Sequence, residues 1–183
     1  MQQLLLPKKE MKYLPRASHG GELRRKRKTK RPLVPGAITH IILKSKRAAG
    51  ALSFRKHERV VSALLSDRSR KFHIEILDFV IMGNHIHLKA KFKCATNFRN
   101  FLRTFTGLLA RRLTKARRGA AFGKFWDGLA YTRVLFTKLE EWGLRVYFSA
   151  NKIEREIGYA ERKRFLDKWN QSLYRFKTSR APS

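Results

Sequence analysis

From residue 38 onward the apolar and polar positions follow two different periods, and the switches between them set out the elements. Ile38 to Lys44 alternates with a period of two, with Ile41 and Leu43 on one side and His40 on the other, which predicts a first strand. His40 reads as an ordinary strand residue rather than a third metal ligand. From Phe54 the period lengthens. Phe54, Val60, Val61, Leu64 and Leu65 share one helical face while Arg55, Lys56, Glu58, Arg59 and Asp67 lie elsewhere, predicting an amphipathic helix packed on a sheet. Phe72 to Met82 and His85 to Lys93 then read as two strands joined by a tight Gly83-Asn84 turn of the kind that accommodates positive φ.

A second helix is predicted from about Thr96 to Arg118, with Gly119 placed to stop it. Its apolar stripe is Phe98, Phe101, Leu102, Phe105, Leu108, Leu109 and Leu113, so these phenylalanines are core residues and not stacking platforms. Phe125-Trp126 followed by Ala130 to Phe136 predicts a fourth strand. A third helix starts near Lys138, and its stripe of Leu139, Trp142, Val146, Ala150, Ile153 and Ile157 is expected to be the docked face. The order β-α-β-β-α-β-α describes an α+β sandwich: helices lie on one face of a largely antiparallel sheet, and the other face or its edge is open to a ligand.

This predicted domain spans residues 37–158. Residues 1–36 read as a flexible basic arm, because Arg24, Arg25, Lys26, Arg27, Lys28, Lys30 and Arg31 form a charge run between Gly20-Gly21 and Pro32 with no apolar periodicity. Such a run is either a solvated tail or a phosphate-binding arm, and the charge balance favours the second. Residues 159–183 read as a basic, aromatic C-terminal helix and tail, in which Phe165, Trp169, Tyr174 and Phe176 suit base stacking and docking on the core equally.

Charge changes the picture most. With 43 Lys and Arg against 13 Asp and Glu, the formal net charge is +30, while 43% hydrophobic residues is ordinary for a folded protein. A folded body this cationic calls for a polyanion, and nucleic acid is the natural one, since neutralising phosphates releases condensed counterions. A membrane is not expected: nothing approaches the roughly 18 consecutive apolar residues of a span, and Leu4 to Leu6 are cut short by Pro7. A single cysteine, Cys94, excludes an internal disulfide and a cysteine-based zinc site, so a cytoplasmic protein is expected.

Candidate chemistry begins at Gly83-Asn-His-Ile-His87. On a strand His85 and His87 share one face, about 6.6 Å apart, near enough to hold one ion between them. The bare spacing also suits two solvated histidines; its position directly after a turn, in a hydrophobic strand and a carboxylate-poor chain, favours ligands. On the third helix Gly143, Tyr147, Asn151, Glu154 and Gly158 form a second row beside the apolar stripe. Asn151 offers an oxygen that Mg²⁺ and Mn²⁺ accept, and the imidazoles bias the set toward Mn²⁺.

These two segments resemble the HUH motif and the tyrosine-x-x-x-asparagine motif of the REP-associated tyrosine transposases, within the single-tyrosine HUH transposase family. The Pro35-Gly36 lead-in, Phe125-Trp126 and Tyr131-Thr-Arg-Val134 are similar to that family as well, and the resemblance runs from about residue 33 to 158. Two departures stand out: Gly83-Asn84 replaces the usual Pro-Asn, and Asn151-Lys-Ile153 replaces the usual Asn-Pro-Val, which alters the end of the tyrosine helix.

The resemblance implies the HUH endonuclease fold, a ferredoxin-like or RRM-like sandwich. It also implies a metal-dependent single-stranded DNA nickase and strand transferase acting on hairpin-flanked DNA. His85, His87 and Asn151 would hold Mg²⁺ or Mn²⁺, and Tyr147 would attack the phosphate to leave a 5′-phosphotyrosine and a 3′-hydroxyl. Glu154 is open as a fourth ligand, a base or neither. The arm, the helix face of Arg99, Arg103, Arg111, Arg112 and Lys115, the strand residue Arg133 and the C-terminal tail would bind DNA. Whether the site is completed in one chain or by exchanging the tyrosine helix in a homodimer stays open. So do two rivals, a non-catalytic hairpin-binding protein and a nuclease that uses water.

Overall fold

The computed structural model describes residues 18–21 and 31–178, with side chains through residue 171. The four expected strands are β2 (Ile38–Lys44), β3 (Ile74–Ile81), β4 (His85–Phe92) and β5 (Leu129–Leu135). A fifth, β1 (Ser18–Gly21), pairs with β5, so the element order gains a strand inside the segment expected to be a flexible arm. Its glycines explain why periodicity misses it: Gly20 and Gly21 have φ of 91° and 76°, and a side chain on Gly20 would run into the carbonyl of Ala130. The sheet order is β1-β5-β2-β4-β3 and every pairing is antiparallel. Register shifts interrupt both borders, between His19 and Gly21 in β1 and between Ile76 and Asp78 in β3.

The helices are α1 (Glu58–Lys71), α2 (Ala95–Thr114), α3 (Lys138–Glu156) and α4 (Tyr159–Thr178). Phe54 is buried as expected but precedes α1, its backbone N–H donating to Gly83 O. α2 stops before Lys115, which takes a left-handed φ of 55°, and not at Gly119. Thr137 caps α3 through a capping box: its hydroxyl accepts from Glu140 N–H at 3.1 Å and its own N–H donates to the Glu140 carboxylate at 3.3 Å.

Two compact units divide the chain, the first ending at Phe136 and the second beginning at Thr137 with α3 and α4. In the first, α1 and α2 cover one face of the sheet. Val61, Leu64, Phe98, Phe101, Phe105 and Leu109 pack there on Ile41, Leu43, Ile86, Leu88 and Phe92, and the Phe92 and Phe98 rings stack at 4.4 Å. The phenylalanines of α2 are core, as their spacing predicts. Phe125 and Trp126 close the end of this core against Phe54, with Trp126 Nε1–H donating to Thr106 O at 3.2 Å. The second unit corrects an expectation. Leu139, Trp142 and Ile157 are exposed, at 61%, 42% and 70%, and the buried residues of α3 are Leu144, Phe148, Ala150 and Asn151. Two overlapping rows with helical spacing exist on α3, and the row i, i+4, i+7 through Leu144, Phe148 and Asn151 is the buried one. Trp142 instead meets Trp169 of α4.

Candidate active site

The alternation in β4 decides where the imidazoles point. Ile86, Leu88, Ala90 and Phe92 are buried beneath α1 and α2, so His85, His87 and Lys89 face the opposite side of the sheet. The ladder then brings neighbours onto that side. Lys44 lies opposite His85, Ile42 opposite His87 and His40 opposite Lys89. From the outer strands come Val80 opposite His87 and Arg133 opposite His40. The sequence predicts an open face here. Its centre is in fact buried, with Val80 fully covered and His87, His40 and Lys89 at 1%, 6% and 8% exposure.

The hairpin that delivers His85 is held from outside. Met82 N–H donates to His85 O, Ser45 N–H to Asn84 O, and both Phe54 N–H and the Ser53 hydroxyl to Gly83 O. Neither Gly83 nor Asn84 has positive φ, contrary to the turn type expected. The clamps from Ser45, Ser53 and Phe54 set the bend, so this position does not need the conformational freedom of glycine, and the departure from the family's usual Pro-Asn is accommodated.

The rings of His85 and His87 stand perpendicular with centroids 4.8 Å apart. His85 Nδ1–H donates to Asn84 Oδ1 at 2.7 Å. His87 Nδ1 lies 3.3 Å from His40 Nε2, with the His40 and His87 rings nearly parallel at 5.5 Å. Burial first, and then the charge of Arg133, hold the His40 pKa down at about 4. Sequence pattern places His40 on this side of the sheet but not beside His87; that takes the strand register. Lys89 shares this face by the same alternation as the two histidines, and Lys44 joins it opposite His85 through the strand register.

Tyr147, Asn151 and Glu154 stand on α3 at successive turns, in the second unit. Tyr147 is half-buried, while Asn151 is 2% exposed and its Nδ2 has no hydrogen-bond partner among the described residues. Glu154 makes an ion pair with Arg162 of α4 at 3.0 Å, which engages the carboxylate considered as a ligand or base. Among the described residues no group of three or more His, Cys, Asp or Glu side chains is arranged to hold a metal ion. Each imidazole of the pair is engaged at Nδ1 and has a second ring nitrogen, so the two rings suit a nitrogen-tolerant divalent ion such as Mn²⁺.

The cationic residues divide sharply. Arg99, Arg103, Arg111 and Arg112 are exposed on α2 and Lys115 just past its end, and α2 covers the core face, so they lie across the sheet and a helix about 10 Å thick from the imidazoles. The structure therefore does not bring them together with His85 and His87. Arg133 does share the imidazole face. Arg31 is half-buried and donates from Nη1 to Thr132 Oγ1 at 2.8 Å, with burial lowering its pKa, so its guanidinium ties the chain to β5. Arg24, Arg25, Lys26, Arg27, Lys28 and Lys30 lie outside the described residues. No helix among the described residues is long and apolar enough to cross a membrane.

An antiparallel sheet with helices on one side and a His-hydrophobic-His strand facing the other defines the HUH class of α+β sandwich. Within that class the chain belongs to the IS200-like transposase family, whose model matches residues 34–138, over half its length. The matched segment contains His40, His85, His87 and Arg133 and ends before Tyr147. Among solved structures, the fold is shared with a REP-associated tyrosine transposase bound to a REP hairpin: TM-score 0.53 at 12% identity, covering 71% of this chain and 74% of that one. A candidate transposase from Deinococcus radiodurans R1 is also similar, with a TM-score of 0.42 at 17% identity over 68% of this chain and 98% of that one. No curated protein matches.

Proposed function

We propose that this protein nicks and rejoins single-stranded DNA beside a hairpin, with Tyr147 as the nucleophile and His85, His87 and Asn151 as the ligands of one divalent cation, Mn²⁺ or Mg²⁺. The observation that carries this reading is the imidazole pair. Two perpendicular rings 4.8 Å apart, each oriented by a contact at Nδ1, sit on a strand inside the segment that matches the transposase family. The solved relative of the same fold holds a REP hairpin, which supports hairpin DNA as the partner here.

The cation would supply Lewis-acid polarisation of the scissile phosphate. Tyr147 attacks phosphorus through its phenolic oxygen. The Oη–P bond forms as the P–O3′ bond breaks; the phenol gives up its proton to solvent, and the departing 3′-oxygen takes one up from solvent to become a hydroxyl. The 5′-phosphate stays on tyrosine, so the ester energy is kept and a second 3′-hydroxyl can reverse the step without ATP. Arg133 and Lys44, on the imidazole face, would bind phosphates of the entering strand. Glu154, paired with Arg162, holds α3 to α4 in this scheme and takes no part in the chemistry.

The test is incubation with labelled hairpin oligonucleotides and Mn²⁺ or Mg²⁺, followed by denaturing electrophoresis. A protein-linked strand should form with the native chain and vanish in Tyr147→Phe, while binding persists. A rival reading, a hairpin-binding protein without chemistry, draws on the family match ending before Tyr147. Salt-sensitive binding with no adduct under any metal would establish that rival.

A further inference from the structure

We propose that His40 is a positioning residue: its Nε2 accepts a hydrogen bond from His87 Nδ1–H and so keeps the His87 lone pair on Nε2, the nitrogen that meets the cation. This deepens, and rests on, the assignment of His85 and His87 as ligands. The two nitrogens lie 3.3 Å apart in a buried pair of imidazoles. Two such rings joined nitrogen to nitrogen share a single proton, and the bond has two directions. If His40 donated, a neutral His87 would carry its own proton on Nε2 and could not ligate there. If His87 donates, Nε2 is the basic nitrogen.

His85 is set in the same sense by a different neighbour, since its Nδ1–H donates to the amide oxygen of Asn84. Both rings then offer Nε2. The spacing between His40 and His87 is fixed by the sheet: the two are diagonal neighbours on β2 and β4, and the flanking pair Ile41 and Leu88 is fully buried on the core side. Metal-binding histidines take their outer hydrogen bond to a carboxylate, carbonyl or water as a rule, and that bond fixes tautomer and orientation. Here a second imidazole fills the role.

The experiment compares full-length native protein with His40→Gln, whose amide oxygen can accept from His87, and His40→Leu, which cannot accept. Imidazole ¹H–¹⁵N correlation spectra without metal report the His87 tautomer. Mn²⁺ titration gives the affinity, and thermal unfolding checks the fold. The native chain should show His87 protonated on Nδ1. His40→Leu should lose that preference and bind Mn²⁺ about ten- to a hundredfold more weakly, and His40→Gln should stay near native. A native His87 protonated on Nε2 overturns the proposal, and that spectrum decides even if His40→Leu fails to fold. If His87→Ala weakens Mn²⁺ binding and a folded His40→Leu does not, the positioning role alone falls. If His87→Ala binds Mn²⁺ as the native chain does, the ligand assignment fails and takes this proposal with it.

Discussion

Leu88→Ala offers the most direct test of the register that turns the imidazoles away from the core. Leu88 is fully buried on β4 between His87 and Lys89, and its side chain packs with the core beneath α1 and α2. Truncating a leucine in such a site costs about 2–5 kcal/mol, transfer and cavity together. Against a total stability of about 5–15 kcal/mol, and at about 2–4 °C per kcal/mol for a chain of this size, the midpoint should fall by roughly 4–20 °C. Leu77 on β3 is the control: it is 38% exposed, and Leu77→Ala should cost no more than about 1 kcal/mol. The assay is thermal and denaturant unfolding followed by circular dichroism, with the urea slope checked for constancy. Equal costs at the two sites, or a larger one at Leu77, would refute the face assignment. A one-residue slip of β4 exchanges its two faces and would send the imidazoles into the core.

Thr137→Ala removes the capping box of α3 and should destabilise that helix by about 1 kcal/mol, read as lost helicity, while Thr137→Ser should retain most of it. Gly83→Ala should be neutral or stabilising by up to about 1 kcal/mol, because φ there is not positive and a Cβ would meet only Ser53 Oγ, at 3.6 Å; a clear drop in midpoint would contradict this. Stability should also fall with acid. The His40 pKa is about 4 in the fold against 6.5 for a solvated histidine, so the unfolded chain binds the extra proton between those values. The His40 contribution is complete above about pH 6.5 and is lost as pH falls toward 4, at most about 3 kcal/mol, and His40→Gln should flatten that limb of the stability curve.

Sequence pattern revealed the sheet and its helices because both periods run cleanly through Ile38–Lys44, Ile74–Ile81, His85–Phe92 and Ala95–Thr114. It also put His85 and His87 on one face, since alternation needs no partner strand. What it could not show depends on partners. Ser18–Gly21 carries two glycines in left-handed backbone and becomes a strand only by pairing with β5. On α3 the apolar rows through Trp142 and through Leu144 overlap, and only packing chooses between them. The contact from His40 to His87 and the separation of the α2 arginines from the imidazoles both follow from register and layer order. Neither is written along one segment.

The irregular borders of the sheet bear on how two copies of this protein can associate. A strand ending a sheet presents unpaired amides and carbonyls on which another chain can template itself. Here β1 and β3 each lose their regular rung spacing partway along. Among the described residues neither rim offers the long straight run that edge-to-edge zippering requires. Irregular rims of this kind disfavour edge-to-edge zippering of two copies, a safeguard against fibrous self-assembly built into the sheet.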